Sequence, residues 1–135
     1  MDQTKWQMGG RVQSTAQAAS PAQLFDTALR LHQQGRLAEA EGVYRRVLAI
    51  DPRHADALHL VGVVAMQAGR PDAAVDLIAQ AIAVHSSAAA FHSNIAEALR
   101  MLGRFDEAIR HLERAMQLEP GFADAHMNHG NILKL

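Results

Sequence analysis

GRLAEA (35–40), GRPDAA (69–74) and GRFDEA (103–108) are three versions of one short segment, and thirty-four residues separate each from the next. The same interval relates Ala40, Ala74 and Ala108, and again Val47, Ala81 and Ala115. Pro52 and Pro120 lie two intervals apart, with Ser86 at the place between them. Self-similarity at such a period marks an array of stacked supersecondary units.

Working outward from the glycines, each interval is helical on both sides. Leu58, Val61, Gly62 and Ala65 follow i, i+3, i+4, i+7 spacing, which makes one apolar stripe. After Gly69 a second stripe runs through Ala74, Val75, Ile78, Ala81 and Ile82. Each interval therefore predicts two helices of about 13 residues joined by a glycine that supplies a left-handed C-cap. Asp51-Pro52 and Glu119-Pro120 break the second helix, because the residue before Pro disfavours the α region. Pro71 falls in a first helical turn, where its missing N–H would be unpaired anyway. Ser20-Pro21-Ala22-Gln23 reads as an N-cap, a proline at the first helical position and the Gln of a capping box.

The expected fold is all-α: a right-handed superhelical solenoid of antiparallel hairpins, seven helices in about three and a half units. The units are residues 21–54, 55–88 and 89–122, with a half unit or capping helix at 123–135. Residues 1–19 lack the period and are expected to form a disordered or loosely docked arm, with Trp6 as its one large aromatic.

Composition agrees. Nearly half of the 135 residues are apolar but only 4% are aromatic, and Ala dominates. Such a core suits closely spaced helices and lacks the residues that favour sheets. A net charge of -1 gives no footprint for nucleic acid or an anionic membrane. There is no Cys, hence no disulfide framework, thiolate zinc site or cysteine nucleophile. No stretch has the roughly 20 apolar residues of a membrane span. The first twenty residues have no apolar signal core, so a cytoplasmic location is expected.

These residues resemble the tetratricopeptide repeat (TPR) family. The second unit gives Leu58-x-x-Val61-Gly62-x-x-Ala65, then Ala74-x-x-x-Ile78-x-x-Ala81. The third gives His92-x-x-Ile95-Ala96-x-x-Leu99, then Ala108-x-x-x-Leu112-x-x-Ala115 and Pro120. The first gives Leu24-x-x-Thr27-Ala28-x-x-Leu31, then Ala40-x-x-x-Tyr44-x-x-Val47 and Pro52. A fourth begins His126-x-x-His129-Gly130-x-x-Leu133. The segment from Phe122 to Asn131 further resembles the repeats that precede the catalytic region of O-linked N-acetylglucosamine transferases. That resemblance implies a ladder of Asn at the sixth position of each repeat. Asn94 and Asn128 match it, whereas Asp26 and Leu60 depart from it.

The resemblance implies that the first helix of each unit lines a concave wall. If the fourth, seventh, eighth and eleventh positions are buried, the others are free to face that groove. The candidates are Phe25, Asp26, Leu29, Asp56, His59, Leu60, Val63 and Met66 in the first two units. Ser93, Asn94, Glu97, Arg100, Met101, Met127, Asn128 and Asn131 follow in the rest. The first half is apolar and the second offers amides and charges. An Asn amide has one acceptor and two donors, matching a peptide bond, and Met66, Met101 and Met127 supply adaptable apolar contacts. An extended peptide is therefore the expected ligand. The groove lacks the Lys at which related repeats clamp a C-terminal carboxylate, so no such clamp is expected.

Three alternatives stay open at this stage. An enzyme needs a nucleophile, base or metal set. No Gly-rich phosphate loop, G-x-S-x-G or H-E-x-x-H occurs, and His92, His126 and His129 fill packing places in the repeat. No catalysis, cofactor, metal, nucleic acid or membrane insertion is therefore expected. Self-association would use Ala125, His129, Ile132 and Leu135, on the side of the last helix expected to lack a cover. Last, the chain could be the substrate-selecting arm of a larger glycosyltransferase.

Overall fold

The computed structural model describes residues 18–133. Seven α-helices follow one another: α1 (Pro21–Gln33), α2 (Leu37–Ile50), α3 (Ala55–Gln67), α4 (Pro71–Val84), α5 (Ala89–Met101), α6 (Phe105–Leu118) and α7 (Ala123–Leu133). They pair as the hairpins α1–α2, α3–α4 and α5–α6, with α7 alone at the end, stacked as a right-handed solenoid. Trp6 and the rest of the proposed arm, apart from its last two residues, lie outside the described residues, as does Leu135.

The local chemistry of each boundary follows the sequence. Gly35, Gly69 and Gly103 have φ of 76°, 81° and 77°, the left-handed region that only glycine enters freely. This lets the following Arg turn its N–H back on the helix. Arg36 donates to Leu31 O at 2.9 Å, Arg70 to Ala65 O at 2.8 Å and Arg104 to Leu99 O at 2.9 Å. Otherwise orphaned carbonyls are thus satisfied three times in the same way. At the start of α1 the capping box is complete: Ser20 Oγ accepts from Gln23 N–H at 3.1 Å, and Ser20 N–H donates to Gln23 Oε1 at 2.9 Å.

Within a hairpin, small residues set the helix separation. Ala40, Ala74 and Ala108 are completely buried. So are Tyr44, Ile78 and Leu112, one turn further on. Contact is closest at Gly62, where an added Cβ would sit 2.6 Å from Ile78 Cγ1 and 3.4 Å from the Ala74 carbonyl oxygen. The matching places in the flanking hairpins hold Ala28 and Ala96, opposite Tyr44 and Leu112. Neither partner there is β-branched, whereas Ile78 carries two branches on Cβ and leaves no room for a methyl group.

Between hairpins, the third and tenth positions of each first helix make the joint. Ala57 and Val64, Phe91 and Ala98, and Ala125 and Ile132 are all buried against the preceding unit. In α1 the same two places are Gln23 and Arg30, both exposed. This corrects the expected self-association stripe. Ala125 and Ile132 bond the last helix to the hairpin before it, and His129 is half-buried. The open side of α7 instead carries His126, Met127 and Leu133, the last two 60% and 63% exposed. His126 and Leu133 hold places that a second helix covers in the complete units.

First helices of successive units touch one another, α3 with α5 and α5 with α7, whereas no pair of second helices makes a comparable contact. The side formed by α1, α3, α5 and α7 is thus the inside of the curve.

The concave wall as candidate functional site

Three side-chain hydrogen bonds stitch this inner wall, and each joins residues thirty-five apart in sequence. His32 Nε2–H donates to Gln67 Oε1 at 2.8 Å, linking α1 to α3. Asn94 Nδ2 donates to His59 Nε2 at 2.8 Å, linking α5 to α3. Asn128 Nδ2 reaches Ser93 Oγ at 3.5 Å, linking α7 to α5. One period plus one residue is the step that brings a side chain opposite its neighbour on the next first helix.

The first half of the wall is apolar, as expected from the sequence. Phe25, Leu29, Leu60, Val63 and Met66 are each half-buried. Phe25 is held from two sides. Its ring stacks on His54 at 5.0 Å and tilts against Tyr44 at 5.9 Å. His54 is itself fixed, because its Nδ1 accepts from Ala57 N–H at 3.0 Å and caps α3. Behind Phe25, the Tyr44 hydroxyl donates to His32 Nδ1 at 3.2 Å, which continues to Gln67. Burial pushes the Tyr44 hydroxyl up to about 12, so it stays protonated and donates.

The second half is polar. Glu97, Arg100, Asn128 and Asn131 line a hollow of about 420 Å³ between α5 and α7. Arg100 pairs with Glu97 through Nε at 3.1 Å and through a second contact from Nη2 to the other carboxylate oxygen. The Glu97 carboxylate raises the Arg100 guanidinium above its ordinary range by that hydrogen bond. Arg100 is thus already engaged, and among the described residues lining the hollow there is no other cation. Asp26, Asp56, Met101, Met127 and Asn131 are exposed, and Asn94, Asn128, Glu97 and Arg100 are partly so.

Two expected groove residues do not face the groove. His59 is only 7% exposed and Ser93 only 2%. Both occupy the fifth position, which falls in the crevice between successive first helices. The Asn at the sixth position of the next unit lies across each of them. His59 packs against the ring of Phe91 at 4.5 Å. Burial pushes it down to about 4, with the Asp56 charge opposing. On α7, Met127 at the same position is 60% exposed.

A second hollow of about 290 Å³, at the end of the wall where α3 and α5 begin, is lined by His54, Ala55, Asp56, His85, Ala88 and Phe91. Helix spacing gave no signal for His54 and His85, which sit in the links between hairpins. His92 and His126 have plain structural roles. Each donates through Nε2 to a carbonyl six residues earlier, Ser86 at 2.9 Å and Pro120 at 2.7 Å. His92 Nδ1 then accepts from His111 Nδ1–H at 3.0 Å. Burial and the neighbouring His92 both hold His111 below its ordinary range.

The tetratricopeptide repeat description matches residues 15–55, 25–81 and 60–121, together well over half of the chain. The chain belongs to the tetratricopeptide repeat family. No curated protein is a match. Among solved structures, MamA is similar with a TM-score of 0.82 at 21% identity, over 89% of this chain and 70% of that one. The first TPR domain of Spaghetti, bound to an HSP90 peptide, has a TM-score of 0.82 at 21% identity, over 85% of this chain and 91% of that one. The O-GlcNAc transferase of Thermobaculum terrenum has a TM-score of 0.82 at 29% identity. That match covers 86% of this chain but only 22% of the transferase. At these identities MamA and Spaghetti establish the TPR architecture and nothing further. Among the described residues, no helix is long and apolar enough to cross a membrane.

Proposed function

We propose that this TPR array is a non-catalytic module that binds an extended segment of another polypeptide along its inner wall. The observation that carries this reading is the pair Asn94 and Asn128, partly exposed at matching places on α5 and α7, beside the hollow of Glu97, Arg100 and Asn131. Adjacent helices lie roughly 10 Å apart, and an extended chain advances about 3.3 Å per residue. Two such amides would therefore meet main-chain groups about three residues apart, with little regard to side chains. The apolar surface of Phe25, Leu60 and Val63 would take an aliphatic or aromatic side chain further along. The Spaghetti domain, whose structure holds a peptide, supports the mode in kind.

The test is a peptide selected from a random library on the wild-type protein. Replacing both Asn94 and Asn128 by Ala should weaken it about tenfold or more, at about 1 kcal/mol per hydrogen bond. Unchanged affinity in the double variant would exclude the amides from the site.

A second reading has its own observation, the 29% identity to one stretch of a glycosyltransferase. There the array would select protein substrates for a catalytic region joined to it. Fusion to such a region, with glycosylation of a bound peptide lost on deleting residues 21–133, would support it.

A further inference from the structure

The Asn94 amide is not free to present either of its ends. Its Nδ2 is tied to His59 Nε2 at 2.8 Å, across the crevice between α3 and α5. A nitrogen that accepts from an N–H must carry its lone pair, so His59 is neutral with its proton on Nδ1. The ring cannot turn away easily, because it lies against Phe91 and is buried from solvent. With one of its two N–H donors held inward, the carboxamide is fixed, and its carbonyl oxygen is the acceptor left for the groove. Asn128 repeats the arrangement one unit later, its NH₂ directed at Ser93 Oγ over a longer 3.5 Å.

We propose that His59 is a positioning residue that locks the Asn94 carboxamide with its oxygen toward the groove, so that this point of the wall offers a fixed acceptor to an N–H donor on the bound chain. The inference rests on the peptide-binding reading above and adds polarity to it. A main chain alternates N–H and C=O, so a fixed acceptor selects which of the two meets the wall and thereby sets the register of the ligand. A freely rotating amide would take either.

One arm of the test needs no ligand. Long-range ¹⁵N–¹H NMR of histidine-labelled protein at pH 7 should show His59 Nε2 as the unprotonated, pyridine-type nitrogen. A protonated Nε2 would overturn the proposal, because the amide would then be reversed. The second arm uses the library-selected peptide and a set of its backbone N-methyl derivatives, each lacking one N–H. One derivative should bind wild type about fivefold more weakly, the size expected for one hydrogen bond at about 1 kcal/mol. It should lose nothing more on the Asn94→Ala variant. His59→Phe, which keeps a ring but has no acceptor, should weaken the parent peptide. His59→Gln, whose Oε1 can accept from Asn94, should restore it, which a merely space-filling role would not do. If Asn94→Ala weakens the peptide while His59→Phe does not, the lock is wrong and the groove reading stands. If Asn94→Ala leaves affinity unchanged, the placement of the groove ligand on this amide is itself wrong, and the lock falls with it.

Discussion

Acid should loosen this solenoid at one identifiable joint. His59 is buried between α3 and α5 and held down to about 4 by that burial, against an ordinary value of 6.5. The folded chain therefore refuses a proton that the unfolded chain accepts. Stability from this group is fully present above pH 6.5 and drains away as pH falls toward 4, since the unfolded state binds more protons throughout that window. The gap between the two values is worth about 3 kcal/mol, a large share of what a domain of this size commonly has. The ring is 7% exposed, so solvent screening takes little from that figure. Hydrogen exchange of the α3 and α5 amides between pH 7 and pH 4.5, corrected for the intrinsic pH dependence of exchange, reads the joint locally. That matters in a repeat array whose units need not unfold together. Wild type should lose protection there on acidification, and His59→Phe should lose much less. His111→Gln is the control. His111 is also held low, but it sits at the α5–α6 contact with His92, so removing it should leave the α3–α5 loss in place. If wild type and His59→Phe lost protection equally, the burial of His59 would not be what makes the joint acid-sensitive.

Other outcomes follow from the packing. Gly62→Ala should destabilise by about 1 kcal/mol net, because overpacking against Ile78 exceeds the helix propensity gained. Adding Ile78→Leu, which copies the Ala96 and Leu112 pair, should recover most of that loss in urea titrations. Ser20→Ala removes the acceptor of the capping box and should cost about 1 kcal/mol, seen as fraying of α1 by circular dichroism or exchange. Ala74→Leu should cost roughly 1–3 kcal/mol in the same titrations.

The hairpin order was legible because its signals are local. A left-handed turn needs glycine, a helix end is broken by proline, and an N-cap needs an oxygen, so Gly35, Gly69, Gly103, Pro52 and Ser20 each speak for themselves. The apolar half of the wall and the pair Asn94 and Asn128 were legible too, as surface left over once the buried stripe is assigned. His59 and Ser93 were not. Whether the fifth position faces the groove or a crevice depends on how far each hairpin is rotated against the last, which no single helix records. Ala125 and Ile132 were placed on the wrong side for the same reason. A trace was present in the sequence: the third and tenth positions are apolar in Ala57 and Val64, Phe91 and Ala98, and Ala125 and Ile132, but polar in Gln23 and Arg30.

That contrast makes the units unequal parts rather than interchangeable bricks. Shifting the first hairpin inward would trap a guanidinium and a carboxamide at a joint that offers them no evident partner. Shifting the second to the front would bare Val64 to water. The place of the first unit is therefore written into two of its side chains, and an array with that hairpin moved inward would not close up.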